Sequence, residues 1–415
     1  MNIWIFNHYA ITPDYPGGTR HFELGKNISE RGHRVVIFAS NFIHMSFSFV
    51  ELERRVDYKR ESFGNLEFIW LKTRAYTKNN WKRVLNMLDY SRGIKRISRE
   101  LVKNNVLEKP DVIIGSTVHP FAALAASSLA RRFDVPFIFE IRDLWPRSFI
   151  DMGVWGKSSF QARFFGAIEK KTVSRARKII TLSPRTRSYL KEHYNFPSEN
   201  IYYIPNGVNI GKSDSSETVP GSTLEALEQM KKDGAFIVLY SGSLIATNKL
   251  ETIIDAAGML RENKGLKLVM IGKGQEEERY RELIRSKKLE NISISPPVQK
   301  EQVPCLLRKA DLLILQQGNV QWGSSNKLYD YMASGRPIIS SVHARHNDII
   351  AEIDGGISVP PENPGELYQA ILRLHGMPED ERGQIGQRNV DFVKKYHDWK
   401  VLSERLLDLL EAVKK

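Results

Sequence analysis

The residues of this chain that are best suited to chemistry stand together in one segment, residues 323–337, which reads GSSNKLYDYMASGRP. Either serine near its start can cap a helix, and Gly335 followed by Pro337 would end it, so we predict a helix over residues 326–334. The backbone N–H groups at the N-terminus of that helix would lack partners and carry a partial positive charge, which suits a phosphate group.

Two charged side chains lie one turn apart on the same face of this predicted helix. Lys327 adds a full positive charge to the first turn, and Asp330 follows three residues later. A carboxylate at that position could accept both hydroxyl groups of a ribose. The two groups together would bind the two polar ends of a nucleotide diphosphate. The alternative is a solvated Lys–Asp ion pair on an ordinary capped helix.

Several other chemistries are excluded by spacing. After the Gly-Lys-Gly at 272–274, position 277 is Glu rather than the third glycine of a dinucleotide fingerprint. Neither Gly-Lys-Ser segment, at 156–158 or at 211–213, has the earlier glycine that a P-loop requires. There is no Asp-x-Asp pair, no His-x-x-x-His pair on a helix and a single cysteine, Cys305, so we expect neither a metal nor another cofactor.

The composition is that of a globular chain of two or three domains: 415 residues, 41% hydrophobic and 26% charged. The net charge of +13 is unevenly placed, because residues 1–205 hold 33 Lys+Arg against 19 Asp+Glu and the remainder holds 28 against 29. A basic half suggests nucleic acid, a membrane surface or an anionic substrate, and the simplest alternative is solubility. We find no signal-peptide pattern at the N-terminus and no apolar run of transmembrane length, and therefore expect a cytoplasmic protein.

The elements that must position these residues are short apolar runs that alternate with helical periodicity. Runs rich in Val and Ile on consecutive positions predict parallel strands covered by helices on both faces. About thirteen such runs are too many for one open sheet, so the sequence predicts an α/β fold of two Rossmann-like domains. The predicted strands are 2–7, 34–40, 66–71, 111–115, 136–141, 178–182 and 201–204 in the first half, and 236–241, 267–271, 293–295, 312–316, 337–341 and 357–359 in the second.

A turn signal at residues 205–207 marks the boundary between the two domains. We therefore predict an N-terminal domain over 1–206 and a C-terminal domain over 207–398. Residues 399–415 have the periodicity of an amphipathic helix that could pack on either domain.

The segment NKLYDYMASGRPII resembles the donor-binding helix of retaining glycosyltransferases of family 4, which have the GT-B fold. Further motifs agree with that family in order: PGGTR at 16–20, ERGHRV at 30–35, EIRDLWP at 140–146, ITLSP at 180–184, IPNGV at 204–208, YSGSL at 240–244 and IGKG at 271–274. The resemblance is strongest to the bacterial branch that builds O-antigens, capsules and exopolysaccharides, which includes N-acetyl-fucosaminyl-type transferases.

This resemblance implies two facing Rossmann-like domains with a cleft between them. The C-terminal domain would bind the nucleotide sugar and the N-terminal domain the acceptor, and the final helix, 399–415, would cross back to the N-terminal domain. On the donor side Asp330 matches the acidic residue that holds the ribose. The other donor-binding residues it implies are Gly17, Gly18, Gly242, Ser243, Lys249, Asn326 and Lys327 near the diphosphate, and Val298 near the base.

The chain departs from the family pattern at three of these places. Trp322 stands where a glutamate is usual, Ser243 where an arginine is usual, and Arg142 where a histidine is often found. The serines and asparagine of the segment 324–326 could take over some phosphate contacts.

Arg142 and Asp143 follow a predicted strand, at the end where open α/β sheets bind ligands. A retaining transfer without a metal must neutralise the leaving diphosphate and stabilise positive charge at the sugar carbon. We predict that Asp143 positions or deprotonates the acceptor hydroxyl, or contacts the sugar, and that Arg142 assists with the phosphate charge. The alternative is a helix-start aspartate beside a surface arginine. For His8 and His119 we favour capping or packing.

Residues 72–103 hold ten Lys/Arg and two acidic residues, with apolar residues at helical spacing. A basic amphipathic helix with Trp81 near its start can lie in a membrane interface, which would suit an acceptor anchored on a lipid. Alternatively, the apolar stripe packs on the sheet of its own domain and only the basic face is solvated.

The leading hypothesis is a retaining, metal-independent glycosyltransferase. It would move a sugar from a nucleotide sugar, UDP-linked on the family pattern, to a lipid-linked saccharide in bacterial surface polysaccharide assembly, at the inner face of the cytoplasmic membrane. The alternatives are a GT-B nucleotide-sugar epimerase or hydrolase and a basic nucleic-acid-binding protein. We expect no nucleic acid as partner, because the chain has no recognised binding motif and no interleaved aromatic platform.

Overall fold

A computed structural model of the chain describes residues 1–78, 80–210, 222–318, 326–342 and 348–414. These residues divide into two compact units. The N-terminal unit comprises the described part of residues 1–206 together with the last helix, from residue 399, and the C-terminal unit comprises the described residues between 207 and 398. Each unit is built on one mainly parallel sheet, as the alternation of apolar runs predicts.

The sheet of the N-terminal unit has eight strands in the order β10-β9-β8-β7-β1-β2-β6-β5, and β5 is its single antiparallel member. All seven strands predicted in this half are present. The strands are β1 (Asn2–Phe6), β2 (Arg34–Ser40), β5 (Tyr58–Phe63), β6 (Leu66–Leu71), β7 (Val112–Thr117), β8 (Phe137–Ile141), β9 (Lys178–Thr181) and β10 (Ile201–Tyr203), with β3 (Phe42–Ile43) and β4 (Ser48–Phe49) in a separate small hairpin.

Helices cover both faces of this sheet, and two apolar layers fill the space beneath them. The helices are α1 (Arg20–Ser29), α2 (Trp81–Lys103), α3 (Pro120–Phe133), α4 (Arg147–Asp151), α5 (Phe160–Val173), α6 (Arg185–Tyr194) and, from the end of the chain, α15 (Trp399–Lys414). Helix α15 packs beside α1, where Leu402, Leu406 and Leu410 complete one of the two apolar layers.

Helix α2 settles one of the alternatives raised by the sequence. Its residues Ile94, Ile97 and Leu101 are buried in the apolar layer beneath the helix, so most of the stripe packs on the sheet. Only the first turn differs, because Trp81 and Val84 are exposed there.

The sheet of the C-terminal unit has six parallel strands in the order β13-β12-β11-β14-β15-β16. They are the six strands predicted in this half: β11 (Phe236–Ser241), β12 (Leu266–Ile271), β13 (Ile292–Ser295), β14 (Leu312–Gln316), β15 (Ile338–Ser341) and β16 (Gly356–Ser358). The helices are α7 (Ser222–Lys232), α8 (Glu251–Met259), α9 (Glu277–Ser286), α10 (Val303–Lys309), α11 (Asn326–Ala333), α12 (Ile349–Glu352), α13 (Pro364–His375) and α14 (Glu379–Tyr396).

The continuous burial of the central strands explains why their sequences are apolar at consecutive positions rather than at alternate ones. Among the described residues, no helix has both the length and the apolar composition needed to cross a membrane.

Candidate functional site

The loops that follow β11 and β14 flank the point at which the strand order of the C-terminal sheet reverses. Open α/β sheets bind ligands at the carboxyl ends of the strands beside such a point. Gly242 and Lys249 lie after β11, Gly272 lies after β12, Val298 lies after β13, and helix α11, which carries Lys327, lies between β14 and β15. The fold therefore brings the predicted donor-binding residues Gly242, Lys249, Val298 and Lys327 to one edge of the sheet.

Lys327 is the most informative of them. Its Nζ donates a hydrogen bond to Tyr240 Oη at 3.0 Å and lies 4.8 Å from the centre of the Tyr240 ring. No carboxylate forms a salt bridge with this amine in the part of the chain that the structure describes. Burial lowers the pKa of Lys327 to about 8. A largely desolvated cation without a neutralising carboxylate is a group prepared for an anionic ligand.

Tyr240 fixes both the lysine and the loop beside it. Its hydroxyl donates to the Ser243 carbonyl at 3.0 Å and accepts from Asn248 Nδ2 at 3.1 Å, in addition to accepting from Lys327. Asn248 donates to the same Ser243 carbonyl at 2.7 Å. The ring of Tyr240 is buried in the core of the unit. Its hydroxyl therefore holds the loop after β11 in a fixed position, in addition to the loop's own backbone contacts.

Glycine at position 242 leaves room for that lysine. A Cβ at Gly242 would lie 2.3 Å from Lys327 Nζ and 2.5 Å from its Cε. A second close approach occurs at Gly272, where a Cβ would lie 1.8 Å from the Gly242 carbonyl oxygen. The backbone of the loop after β12 can therefore approach that of the loop after β11 only because Gly272 lacks a side chain, while Gly242 leaves room for the amine.

Asp330 lies one turn after Lys327 on α11, as the spacing predicted. Its side chain is exposed to solvent, yet the protein atoms around it raise its pKa to about 7, against a small opposing effect of Lys300. It has no hydrogen bond or salt bridge within the described residues. The next residue, Tyr331, anchors the helix, because its buried hydroxyl accepts from the Ser241 backbone N–H and donates to the Ser241 carbonyl.

The remaining predicted donor residues lie near this centre with less specific roles. Ser243 contributes its backbone carbonyl to the loop, and the stem of Lys249 packs beside Gly318, where a Cβ would lie 2.8 Å from its Cγ. Val298 packs partly buried on the apolar layer beneath α11. Asn326 opens helix α11, but its side chain lies outside the described part of the chain, as do Gln321 and Trp322.

In the N-terminal unit, the corresponding edge is formed by the carboxyl ends of β1, β7 and β8. The predicted glycine loop follows β1, and both Gly17 and Gly18 are exposed there. Gly17 has a φ of 134°, a conformation that residues with a Cβ rarely adopt, and a Cβ there would lie 2.9 Å from Ile11 Cδ1. The backbone conformation therefore favours glycine at this position, and a larger residue would also have to displace the Ile11 methyl group.

A buried ionic network holds this edge in place. Glu140 at the end of β8 accepts from Arg20 Nε at 2.8 Å, from His21 Nε2 at 2.7 Å and from the Ser116 hydroxyl at 2.5 Å. Burial opposes ionisation of Glu140, but the neighbouring Arg20 and His21 outweigh it and hold its pKa well below the usual value. Arg20 also donates to the carbonyls of Ile204 and Pro205, which ties the start of α1 to the end of β10.

Asp143 and Arg142 stand directly after β8, as predicted. The side chain of Asp143 is exposed and makes no hydrogen bond within the described residues. Crowding by protein atoms raises its pKa, and the guanidinium groups of Arg142 and Arg83 oppose that rise. The backbone of Arg142 is held by Thr117 Oγ1 at 3.0 Å. A solvent-accessible carboxylate under the influence of two cations can orient or deprotonate a hydroxyl group, which is the chemistry predicted for it.

His8 and His119 form a buried pair, with 2.8 Å between His8 Nδ1 and His119 Nε2. The Nδ1 atom of His119 accepts from the backbone N–H of Ala122 and thereby caps α3, which confirms the predicted capping role. Burial lowers the pKa of His119 to about 3 and lowers that of His8 as well. Both rings are neutral, and the pair is a structural support beside Asp143.

Sequence reasoning missed a polar aromatic cluster at the same edge. Tyr9 and Tyr76 share a hydrogen bond of 3.0 Å between their hydroxyls, Tyr76 Oη lies 2.8 Å from His44 Nδ1, and the Arg83 guanidinium lies over both tyrosine rings. Its members come from four separate segments, and no local spacing marks them as neighbours. The basic stretch that contains Arg83 was the only signal.

Two family models match the chain. Residues 17–212 match the model described as Glycosyltransferase Family 4, and residues 235–376 match the model described as Glycosyl transferases group 1. A relative named for colanic acid biosynthesis, the glycosyl transferase WcaI of Escherichia coli (strain K12), is 25% identical over 280 residues, which span 65% of this chain and 68% of the relative.

Solved structures share the fold over almost the whole chain. Sucrose-phosphate synthase from Thermosynechococcus elongatus has a TM-score of 0.76 at 17% identity, covering 99% of this chain and 98% of the other. HepE from Anabaena, solved in complex with UDP-glucose, has a TM-score of 0.67 at 12% identity, covering 99% and 100%. The two Rossmann-like sheets are therefore those of the GT-B fold, as predicted, and each half of the chain matches a glycosyltransferase family model.

Proposed function

We propose that this GT-B glycosyltransferase moves a sugar from a UDP-linked donor to a lipid-linked saccharide, with retention of configuration, during assembly of a bacterial surface polysaccharide. The observation that carries the donor assignment is the amine of Lys327, held over Tyr240 without a carboxylate partner in the described residues. Its natural complement is a diphosphate, because phosphate oxygens can replace the water that burial has removed from the amine.

Asp330 supports a nucleotide rather than inorganic diphosphate. It lies one turn from Lys327, has no partner of its own in the described residues and is accessible to solvent. As a carboxylate it can accept both hydroxyl groups of a ribose. The uridine base is proposed by analogy with HepE, whose structure contains UDP-glucose. The N-acetyl-fucosaminyl type of donor suggested by the sequence is one of those to be tested.

The transfer itself needs positive charge beside the leaving diphosphate and a carboxylate beside the acceptor hydroxyl. The bond between the sugar carbon and the diphosphate oxygen breaks, a bond to the acceptor oxygen forms on the same face of the sugar, and the acceptor hydroxyl loses its proton. We assign the neutralisation of the leaving diphosphate to Lys327, with Arg142 assisting, and propose that no metal is required. Asp143 positions or deprotonates the acceptor hydroxyl.

The polysaccharide role rests on the relative named for colanic acid biosynthesis. A growing surface polysaccharide of this kind would be presented on a lipid carrier, and we therefore propose that the protein works at the inner face of the cytoplasmic membrane. The charge of residues 1–205 agrees with an anionic acceptor and an anionic lipid surface.

Thermal unfolding in the presence of UDP, GDP, TDP and their sugar conjugates, with EDTA throughout, tests the donor proposal. We expect one nucleotide family to raise Tm, because a ligand that binds only the folded protein stabilises it by mass action. A folded sample with no shift at millimolar ligand would contradict the proposal. Release of the free sugar without any acceptor would instead favour a nucleotide-sugar hydrolase.

A single substitution separates transfer from binding. Asp143→Asn is expected to slow transfer to the acceptor by roughly 100-fold or more, in line with the loss of a general base, while the UDP-induced rise in Tm stays the same. The matched control is Asp151→Asn, since Asp151 pairs with Arg147 on helix α4. Transfer at the native rate by Asp143→Asn would remove Asp143 from the mechanism.

A further inference from the structure

The large apolar side chains that are exposed to solvent are unevenly distributed. Among the described residues, nine of twelve belong to the N-terminal unit, and they fall in just two parts of it. The first part, the hairpin surface, comprises Met45, Phe47 and Phe49 with Trp81 and Val84 at the start of α2. The second, the α5 surface, comprises Met152, Val154, Phe160 and Phe164.

Phe160 is 78% exposed and Trp81 is 65% exposed, which is extreme for aromatic side chains in a protein with two well-filled cores. Single exposed apolar residues need no explanation, but clusters of them mark interaction sites. The three exposed apolar residues of the C-terminal unit, Ile245, Met259 and Tyr396, are isolated by comparison.

The charges around both surfaces are mainly positive, although Glu51 and Glu53 are exposed just beyond the hairpin. The segment 72–84 contains five Lys/Arg and no acidic residue, and the hairpin itself has none. The segment 152–178 contains seven Lys/Arg and a single acidic residue, Glu169, which is buried and accepts hydrogen bonds from Tyr189 and Tyr194. Lys157, Arg163 and the Phe160 ring are all exposed along this surface.

A continuous series of ring contacts joins the two surfaces. It runs from the hairpin through Tyr76, His44, Tyr9, His8 and His119 to Phe121 and then to α5, with neighbouring ring centres 4.5–6.3 Å apart. His8 follows β1 and His119 follows β7, so this series lies along the carboxyl edge of the sheet, where Asp143 also stands. The two exposed surfaces therefore border the edge that carries the predicted acceptor chemistry.

We propose that the hairpin surface and the α5 surface dock together onto the headgroup region of an anionic bilayer. Exposed aromatic and aliphatic side chains flanked mainly by cations fit a lipid surface of negative charge, since the rings enter the headgroup layer while the cations attract the phosphates. A protein partner would have to be acidic and apolar over both surfaces at once. This docking would bring the protein to the lipid-linked acceptor proposed in the preceding section. The proposal rests on that function for its biological purpose, but the vesicle experiments test it independently.

Sedimentation of the full chain with vesicles measures this docking directly. We expect binding to vesicles of phosphatidylglycerol and phosphatidylcholine, much weaker binding to phosphatidylcholine alone, and a loss of binding as salt is raised. Phe160→Ser together with Phe164→Ser should weaken partition by roughly ten-fold per ring, from the apolar area withdrawn from the bilayer. The matched control is Met259→Ser with Tyr396→Ser, which should bind as the native protein does.

A second readout uses Trp81 on the other surface. Vesicles with brominated acyl chains should quench the fluorescence of the native protein more than that of the Trp81→Phe variant. The proposal is overturned if the native protein ignores anionic vesicles, or if the α5 and control variants lose binding equally. Thermal shift with UDP, measured on the same samples, reports the donor site separately, so a failure of docking is distinguishable from a failure of the proposed function.

Discussion

Replacing Lys327 by methionine should make the ligand-free protein more stable and the nucleotide site much weaker. Methionine has a similar length and flexibility but no charge. The two effects have opposite signs because the amine is held in a largely desolvated position without a carboxylate in the described residues, which disfavours its charged form until an anion arrives. A purely structural lysine would not separate stability from binding in this way.

The size of the effect follows from the pKa of Lys327, which burial lowers from 10.5 to about 8. At pH 7 this difference corresponds to about 3 kcal/mol of unfolding free energy that the native protein forgoes by keeping the amine charged. The variant also loses the hydrogen bond and the ring contact to Tyr240, together about 1–2 kcal/mol. We therefore expect a net gain of about 1–2 kcal/mol at pH 7.

The sign of the pH dependence is also determined. Between about pH 8 and 10.5 the unfolded state binds more protons at Lys327 than the folded state does, so the native protein gains stability as pH rises through this window. The advantage of the variant should shrink accordingly. Urea unfolding at pH 7 and pH 9.5 measures it, with the exposed Lys264→Met as the matched control, expected to lie within about 0.5 kcal/mol of the native protein.

Titration of the native and Lys327→Met proteins with UDP measures the effect on nucleotide binding. Loss of charge-assisted hydrogen bonds to phosphate, about 1.5–3 kcal/mol, predicts a Kd for the Lys327→Met protein that is roughly 10- to 100-fold higher. A less stable variant that still binds UDP with native affinity would refute the reasoning, because it would show that the amine supports the fold and does not meet the diphosphate.

Three further outcomes are expected. Because the pKa of Asp330 lies at about 7, affinity for a UDP-sugar measured by calorimetry should fall below pH 7 as the carboxylate takes up a proton, and this acidic limb should vanish in Asp330→Asn. Gly242→Ala should weaken UDP binding roughly ten-fold with little change in Tm, since its Cβ mainly displaces the flexible end of Lys327, whereas Gly258→Ala, with a Cβ 3.8 Å from Leu289 Cδ2, should bind normally. Glu140→Gln should lower the unfolding free energy by about 3–5 kcal/mol in urea titration, because it leaves the buried Arg20 guanidinium without its carboxylate; a loss below 1 kcal/mol would contradict this.

The sheets could be predicted from the sequence because burial on both faces leaves a local trace. Strand β11 is apolar at consecutive positions, and so are most of its neighbours. Strand β5 was missed because it is polar, with three of its six residues exposed and none fully buried, at the antiparallel edge of the sheet. It is a strand by virtue of its pairing with β6, and pairing is not visible in a single segment.

In the site, too, features that are local in the sequence could be predicted and contacts between distant segments could not. Lys327 and Asp330 could be found because they lie one turn apart on a single helix. The contact of Lys327 with Tyr240 spans 87 residues of sequence, and that of Arg20 with Glu140 spans 120. Such contacts depend on how helices and strands pack side by side, and the residue types alone do not determine that packing.

The placement of helix α15 has a consequence for the synthesis of the protein. The N-terminal unit takes its last helix from residues beyond 398, whereas the described residues of the C-terminal unit all lie between 207 and 398. During translation the face of α1 and its sheet that receives Leu402, Leu406 and Leu410 stays uncovered until the ribosome has made both units. The second unit can therefore fold first. Until α15 is made, the nascent first unit exposes an apolar face that chaperones can bind.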